Sequence, residues 1–168
     1  MVLRSRVDGA GDLRGSWEAN AADFIAWARA PGHDSYWRFH RDQFLELVPA
    51  PGRLTVDLGC GEGRLSRDLK ALRHRVVGVD ASGTMVAAAR EADPEIEVHC
   101  ADAAALPLAD GCADLVVAFM SLQDVDDPAP SCARRRGCSS PAAVSAWRSS
   151  TRSTRPAGST ATPPTARS

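Results

Sequence analysis

Hydrophobic and polar positions alternate across Leu54–Leu58, which predicts a short β-strand. Leucines then recur at helical spacing within residues 64–72, which predicts an amphipathic helix. A glycine-rich stretch, residues 59–63, joins the two elements. The centre of the chain is therefore predicted to run from a strand through a tight turn into a helix.

Three further apolar runs, 76–80, 96–100 and 114–119, predict three more strands. Their nearly continuous apolar character is typical of parallel strands that are buried on both faces. Ser82 is the predicted N-cap of a helix over residues 85–91. The order strand, helix, strand, helix, strand, strand predicts an α/β fold with an open sheet, whose ligands bind beyond the carboxyl ends of the strands.

The chain before residue 53 has a different pattern. Residues 1–19 are polar and glycine-rich, which predicts a flexible arm. Residues 20–52 predict a helical segment with one short helix over 21–28. A second helix is predicted to be capped by Asp34 and to carry one apolar face, formed by Trp37, Phe44, Leu47 and Val48.

Three of the predicted strands end at an acidic residue: Asp57, Asp80 and Asp102. A single aspartate at such a place is usually a cap or a solvated turn residue, but three bordering one crevice indicate a binding site. Bare backbone in the turn lets a ligand approach closely, and the following helix offers unpaired N–H groups. A tight connection that binds no ligand is the structural alternative for the turn alone.

The spacing of the glycines discriminates between nucleotide classes. A dinucleotide-binding turn, G-x-G-x-x-G, requires glycine at position 64, where the chain has Arg64. A phosphate-binding loop ends in G-K-[ST], whereas Gly63 is followed by Arg64 and Leu65. An NAD-dependent oxidoreductase is therefore a weak alternative.

The stretch V-D-L-G-C-G-E-G, residues 56–63, with an acid at the end of each of the next two strands, resembles the class I S-adenosylmethionine-dependent methyltransferases. The resemblance covers Leu54–Asp127 and implies a Rossmann-like sheet and S-adenosyl-L-methionine as the cofactor. It identifies residues 53–128 as the cofactor-binding α/β domain, and residues 20–52 as a helical segment over the cofactor site.

The resemblance also implies roles for individual residues. The glycines would wrap the methionine part, Asp57 would hold the loop, Asp80 with Ala81 would meet the ribose, and Asp102 with Ala103 would meet the adenine. The carbonyl of Phe119 would lie near the ammonium group of the cofactor. The full set of expected cofactor-binding residues is Asp57, Gly59, Gly61, Gly63, Asp80, Ala81, Asp102, Ala103 and Phe119.

The sequence indicates less clearly which residues would contact the methyl acceptor. Tyr36, Trp37 and His40 are candidates because the helical segment of this family often folds over the cofactor. At helical spacing Trp37 is more often a core residue, and His40 an exposed one. No catalytic residue is assigned, because methyl transfer is an in-line displacement in which positioning supplies much of the acceleration and a protein base is optional. The expected partner is a small-molecule methyl acceptor.

Composition bears on the partners, the location and the cysteines of the protein. A net charge of −1 over 168 residues gives no support for a nucleic-acid partner. No apolar run is long enough for a membrane span and no signal peptide is present, so we expect a cytoplasmic protein. Five irregularly spaced cysteines are expected to be reduced thiols rather than metal ligands.

Composition changes abruptly near residue 130. Residues 131–168 contain no Leu, Ile, Phe, Met, Asp, Glu or Lys, so a disordered tail is predicted over 129–168. A shifted reading frame is the sharper hypothesis, because the neighbouring frame over 135–148 permits A-R-V-L-V-P-G-G-R-L-R-L-A. That stretch has the pattern of the helix, turn and strand that the family places there. On this hypothesis the C-terminal strands of the sheet are missing and activity is impaired, and a non-catalytic module that binds S-adenosylmethionine or S-adenosylhomocysteine is the alternative function.

Resequencing the DNA around codons 128–132 tests the frame hypothesis. We expect an insertion or deletion relative to the source genome. An intact frame there would establish the tail as native.

Overall fold

The structure is a computed structural model of the chain, and it describes residues 13–124. The expectations for residues 1–12 and for the tail over 129–168 lie outside the described residues. The prediction that the C-terminal strands of the sheet are missing concerns that same undescribed part of the chain and stays a prediction.

Four parallel strands form one sheet in the order β3-β2-β1-β4. They are β1 (Thr55–Leu58), β2 (Val76–Asp80), β3 (Glu97–Cys100) and β4 (Leu115–Val117). All four strands and the open parallel α/β sheet are confirmed. Along the chain, β2 and β3 are placed on one side of β1, and β4 is then placed on its other side. This reversal of strand order creates the crevice where ligands of such sheets bind.

Four α-helices accompany the sheet: α1 (Leu13–Arg29), α2 (Arg41–Leu45), α3 (Arg64–Ala71) and α4 (Gly83–Ala92). A π-helical turn, Tyr36–His40, precedes α2. The predicted cap of α4 is confirmed, since the Ser82 hydroxyl accepts a hydrogen bond from the Met85 amide at 3.1 Å. A serine oxygen in this position satisfies one of the free N–H groups of the first turn.

Helix α1 corrects the expected boundary of the N-terminal arm. The helix begins at Leu13, so the last seven residues of the stretch 1–19 are helical rather than a flexible arm. Trp17 and Phe24 lie two helical turns apart on one face, with ring centroids 5.5 Å apart. A side chain near the start of α1 also contacts α4. Tertiary contacts therefore hold this segment in place, although its local composition suggests a loose chain.

The second predicted helix is also corrected. Its first part is the π-helical turn, and Trp37 and Leu47 of the predicted apolar face are 52% and 61% exposed. The buried side chains of this segment are Tyr36 and Phe44. A π-helical turn takes more residues per turn than an α-helix, so it rotates Trp37 outward relative to Phe44.

Apolar side chains cover both faces of the sheet, as buried parallel strands require. One cluster joins α2, α3 and the strands, and consists of Tyr36, Phe44, Leu65, Leu69, Val76, Leu115 and Val117. The opposite face is covered by a second cluster: Val56, Leu58, Val77, Val79 and Ala113. These two layers fix the strand ends on which the candidate site is built.

A buried polar network fixes the helical segment against α3. The Tyr36 hydroxyl donates to the Asp68 carboxylate at 2.7 Å, and the Arg41 guanidinium donates two hydrogen bonds to the same group at 2.8 and 2.7 Å. Tyr36 is therefore a structural residue of the core, with its polar end satisfied.

Replacing Tyr36 with Phe should lower the free energy of unfolding by about 1–3 kcal/mol, because it removes a buried hydrogen bond to a charged acceptor. Urea unfolding measures this change. Phe39→Leu is the matched control, since Phe39 is 60% exposed and should change stability by less than about 0.5 kcal/mol. Equal effects of the two substitutions would contradict the assignment of Tyr36 to the core.

Candidate functional site

A cavity of about 390 Å³ lies at the carboxyl ends of the strands, with α1 along one side. Its size is that of a site for a small molecule or cofactor. The walls include most residues that the sequence indicated: Asp57, Gly59, Gly61, Asp80, Ala81, Asp102, Ala103 and Phe119. The structure thus brings the three strand-end aspartates together around one space.

The three glycines of the turn differ in what surrounds them. A side-chain carbon on Gly59 would lie 2.3 Å from Cβ of Ser121, and one on Gly63 would lie 3.1 Å from Cβ of Ala89. Only Gly61, at a φ of +55°, has open space where a side chain would project. Gly61 therefore presents bare backbone to the cavity, whereas Gly63 precedes α3 and is not among the cavity walls.

Asp80 joins the two turns at the floor of the cavity. One carboxylate oxygen, Oδ2, accepts from the Gly61 amide at 2.8 Å, and Oδ1 accepts from the Ser82 amide at 2.9 Å. Burial raises the pKa of Asp80 above its usual value. A carboxylate has about four acceptor positions, so the Asp80 carboxylate retains acceptor capacity for a ligand in the cavity.

Asp57 at the end of β1 is almost completely buried. Its Oδ2 accepts from the hydroxyl of Ser66, on α3, at 2.6 Å. Burial raises the pKa of Asp57 to about 6, against the opposing effect of the Ser66 hydrogen bond. Asp57 thereby connects β1 to the helix on the far side of the glycine-rich turn.

Asp102 and Phe119 border the cavity from the other strands. Oδ1 of Asp102 accepts from the Ala104 amide at 2.7 Å, which fixes the turn after β3. The Phe119 ring packs at right angles near Phe44 and Tyr36, with centroids 4.9 and 5.2 Å away. The ring belongs to the core cluster, while the residue itself contributes to the cavity wall.

The three acceptor-side candidates do not line this cavity. Tyr36 is buried behind it, Trp37 faces outward, and half-buried His40 packs near Phe119 with ring centroids 6.2 Å apart. These residues were candidates because the helical segment of the family often folds over the cofactor. The π-helical turn and the Tyr36–Asp68 hydrogen bond determine their actual directions.

Aromatic residues of α1 occupy the wall that those candidates were expected to form. Trp17, Phe24 and Trp27 all line the cavity, together with Arg14 from the first turn of the helix. Sequence reasoning missed Arg14 and Trp17 because residues 1–19 were assigned to an arm, and it did not single out Phe24 and Trp27 within the predicted helix over 21–28. The spacing of seven and then three residues between these aromatics is helical and was the available signal.

Arg64 occupies the position at which a dinucleotide-binding turn has its third glycine. Its guanidinium pairs with the buried carboxylate of Asp34 and lies over the rings of Phe24 and Tyr36, 5.6 and 5.0 Å from their centroids. The charge of Arg64 is thus neutralised at the wall. Asp80 and Asp57 leave the centre of the site acidic, which favours a cationic ligand.

Other functional features are limited within the described part of the chain. Cys60, Cys100 and Cys112 are free cysteines. Between residues 13 and 124, no group of three or more His, Cys, Asp or Glu side chains could hold a metal ion. None of the helices described is long and apolar enough to cross a membrane.

Comparison with known proteins identifies the family. The sequence model of the methyltransferase-domain family matches residues 56–159, which is more than half of the chain. The chain belongs to the methyltransferase-domain family. The match begins at the glycine-rich motif and continues beyond residue 124, the last residue that the structure describes.

Individual relatives agree with this family. The chain is 35% identical over 98 residues to a probable S-adenosylmethionine-dependent methyltransferase of Mycobacterium tuberculosis, covering 57% of this chain and 36% of the relative. It is 35% identical over 106 residues to the malonyl-[acyl-carrier protein] O-methyltransferase of Pectobacterium atrosepticum, covering 60% and 42% of the two chains. The chain thus aligns with less than half of the length of either relative.

A solved structure supports the fold. An S-adenosylmethionine-dependent methyltransferase from Mesorhizobium loti superposes with a TM-score of 0.53 at 29% identity, covering 62% of this chain and 48% of that one. The cofactor of the family is S-adenosyl-L-methionine. The site fits this molecule, because Asp80 retains free acceptor positions, Gly61 leaves open space, and the carboxylates suit a positively charged sulfur.

The raised pKa of Asp57 generates a prediction for the ligand-free protein. Between about pH 4 and pH 6 the folded chain holds a proton on Asp57 that the unfolded chain releases, so this group's contribution to stability is lost as pH rises through that window. Asp57→Asn keeps a carbonyl acceptor for the Ser66 hydroxyl and removes this pH-dependent loss of stability. The unfolding free energy of the variant relative to the parent should therefore rise by up to about 3 kcal/mol between pH 4 and pH 7.

Urea unfolding at several pH values measures that difference, and other titrating groups cancel in the comparison. Asp23→Asn, at an exposed position of α1, is the control and should follow the parent at every pH. A constant difference between Asp57→Asn and the parent would show that Asp57 titrates alike in the folded and unfolded chains.

Proposed function

We propose that this chain binds S-adenosylmethionine in the strand-end cavity and transfers its methyl group to a small molecule. The observation that carries the proposal is the convergence of Asp57, Asp80 and Asp102 on one cavity into which the bare backbone of Gly61 opens. Family membership supports the cofactor, and the acidic centre of the cavity supports a sulfonium ligand.

Each strand end would recognise one part of the cofactor. The free acceptor positions of Asp80 suit a pair of ribose hydroxyl groups, with the backbone of Ala81 alongside. Asp102 and Ala103 would meet the adenine end of the molecule. The backbone of the glycine-rich turn and the carbonyl of Phe119 would meet the methionine part.

When bound, S-adenosylmethionine supplies a methyl group on a positively charged sulfur. The protein's task is then to hold the acceptor atom in line with that methyl group and to exclude water. Trp17, Phe24 and Trp27 of α1 form an apolar wall suited to both requirements. No side chain needs to remove a proton for such a displacement to be accelerated by positioning.

A small acceptor is supported by the cavity and by the relatives. An aromatic wall binds the apolar or planar part of a small molecule. Relatives of this chain carry names with varied acceptors, including a demethylmenaquinone methyltransferase of Beutenbergia cavernae and a trans-aconitate 2-methyltransferase of Variovorax paradoxus. The diversity of these acceptors fits one kind of cofactor site joined to different acceptor walls.

NAD is a poor match for the same cavity. Arg64 stands in place of the third glycine, and its guanidinium is held between two aromatic rings by Asp34. A glycine at this position normally lets the helix approach the strand beside the pyrophosphate. The turn of this chain has a large side chain there instead.

Calorimetry with S-adenosylhomocysteine tests the proposed site. Gly61→Ala places a methyl group in the open space of the cavity and should weaken binding at least tenfold. Gly32→Ala is the matched control, because Gly32 also has a positive φ and open surroundings but lies outside the cavity walls. The parent and Gly32→Ala should bind alike, and NAD should bind to neither.

Undiminished binding by Gly61→Ala would remove Gly61 from the site. Binding of NAD in preference to S-adenosylhomocysteine would overturn the assignment of S-adenosylmethionine as the cofactor. A screen of small-molecule acceptors with labelled S-adenosylmethionine then separates a methyltransferase from a module that binds without turnover.

A further inference from the structure

Helix α1 forms a wall of the cavity although little apolar burial holds it in place. Its two buried residues are Ala21 and Ala28, whose side chains are single methyl groups. Its large side chains, Trp17, Phe24 and Trp27, are directed to the cavity instead. Burial of a methyl group contributes only about 1 kcal/mol, so the polar contacts of α1 add substantially to what holds the helix in place.

Two polar attachments connect α1 to α4. Near the start of α1, Glu18 accepts from the Thr84 hydroxyl at 2.6 Å and from the Thr84 amide at 3.3 Å. Near its end, Arg29 donates to the Ala88 carbonyl at 3.1 Å and lies 3.8 Å from the Glu91 carboxylate. The attachment at Glu18 lies beside Trp17 and therefore beside the cavity.

Glu18 also contacts Ser82, which is hydrogen-bonded to Asp80 at the floor of the cavity. The buried hydroxyl of Ser82 donates to Oε2 of Glu18 at 2.5 Å, while the Ser82 amide donates to Oδ1 of Asp80 at 2.9 Å. The same hydroxyl accepts from the Met85 amide. One residue, Ser82, thus links the carboxylate of Asp80 with the carboxylate on α1.

We propose that Glu18 is a positioning residue, which holds α1 against the cofactor cavity and, through Ser82, keeps Asp80 oriented toward the ligand. Glu18 is exposed, but its two oxygens accept three hydrogen bonds from Ser82 and Thr84. The contacts of Glu18 lower its pKa, chiefly through the Ser82 hydroxyl, so the carboxylate is ionised near neutral pH.

Loss of Glu18 has two consequences. The three hydrogen bonds that Glu18 accepts from Ser82 and Thr84 are lost, so the wall containing Trp17 opens more often. The Ser82 hydroxyl also loses the acceptor of its proton, which frees it to rotate away from its cap of α4. Both changes shorten the residence of a ligand beneath α1 more than they change the stability of the sheet.

Hydrogen exchange of the ligand-free protein is the first test. Glu18→Ala should increase amide exchange across residues 13–29 at least fivefold, while exchange in β1 and β2 stays unchanged. Glu18→Gln retains one oxygen acceptor and should give an intermediate increase. Asp23→Ala is the matched control, because Asp23 is an exposed acid of the same helix with no polar partner in the described residues.

Stopped-flow dissociation of S-adenosylhomocysteine is the second test, and it rests on the proposed function. Glu18→Ala should release the ligand about tenfold faster than the parent, whereas Asp23→Ala should not. Thr84→Val, which removes one hydroxyl partner, should give a smaller increase. The double variant, Glu18→Ala with Thr84→Val, should release the ligand no faster than Glu18→Ala alone, because both substitutions remove the same contact.

The two readouts separate failure of this proposal from failure of the proposed function. If the parent does not bind S-adenosylhomocysteine, the proposed function fails, and exchange within 13–29 still decides the role of Glu18 in holding α1. Unchanged exchange of α1 in Glu18→Ala overturns the positioning role. Faster exchange throughout the sheet overturns it as well, since Glu18 would then support global stability.

Discussion

The carboxylate of Asp80 is the contact on which the site depends. By accepting from the amides of Gly61 and Ser82, it holds the glycine-rich turn and the turn into α4 in one arrangement. The parallel register places Asp80 next to β1 on one side and opposite Cys100 of β3 on the other. A single partly buried charge therefore organises the floor of the cavity and retains acceptor positions for a ligand.

Around this floor, charge and apolar surface are divided between two sides. The strands contribute the carboxylates, whereas α1 contributes three aromatic side chains. This division suits a ligand with a cationic, polar half beside a small acceptor with apolar surface. Glu18 lies where the two sides meet, since it belongs to α1 and contacts Ser82 beside Asp80.

The turn at 59–63 shows how a sequence motif and its structural roles differ. Its three glycines look equivalent in the sequence, yet a side chain on Gly59 would meet Ser121 and one on Gly63 would meet Ala89. Of the three, only Gly61 has open space where a side chain would project. The crowding partners lie more than twenty residues away along the chain. Their proximity follows from the packing of α4 and of the segment after β4, which no local pattern specifies.

The sequence by itself determined the four strands, α3, the Ser82 cap of α4 and the three acids at the strand ends. Apolar runs, leucine spacing and a capping serine act over a few residues, so they can be recognised without the fold. Only the tertiary structure decided that residues 13–19 are helical and that Tyr36 is buried while Trp37 is exposed. Glu18 meets Ser82 and Tyr36 meets Asp68 in these segments, and both are contacts between residues distant in the chain that form only when the sheet and helices pack together.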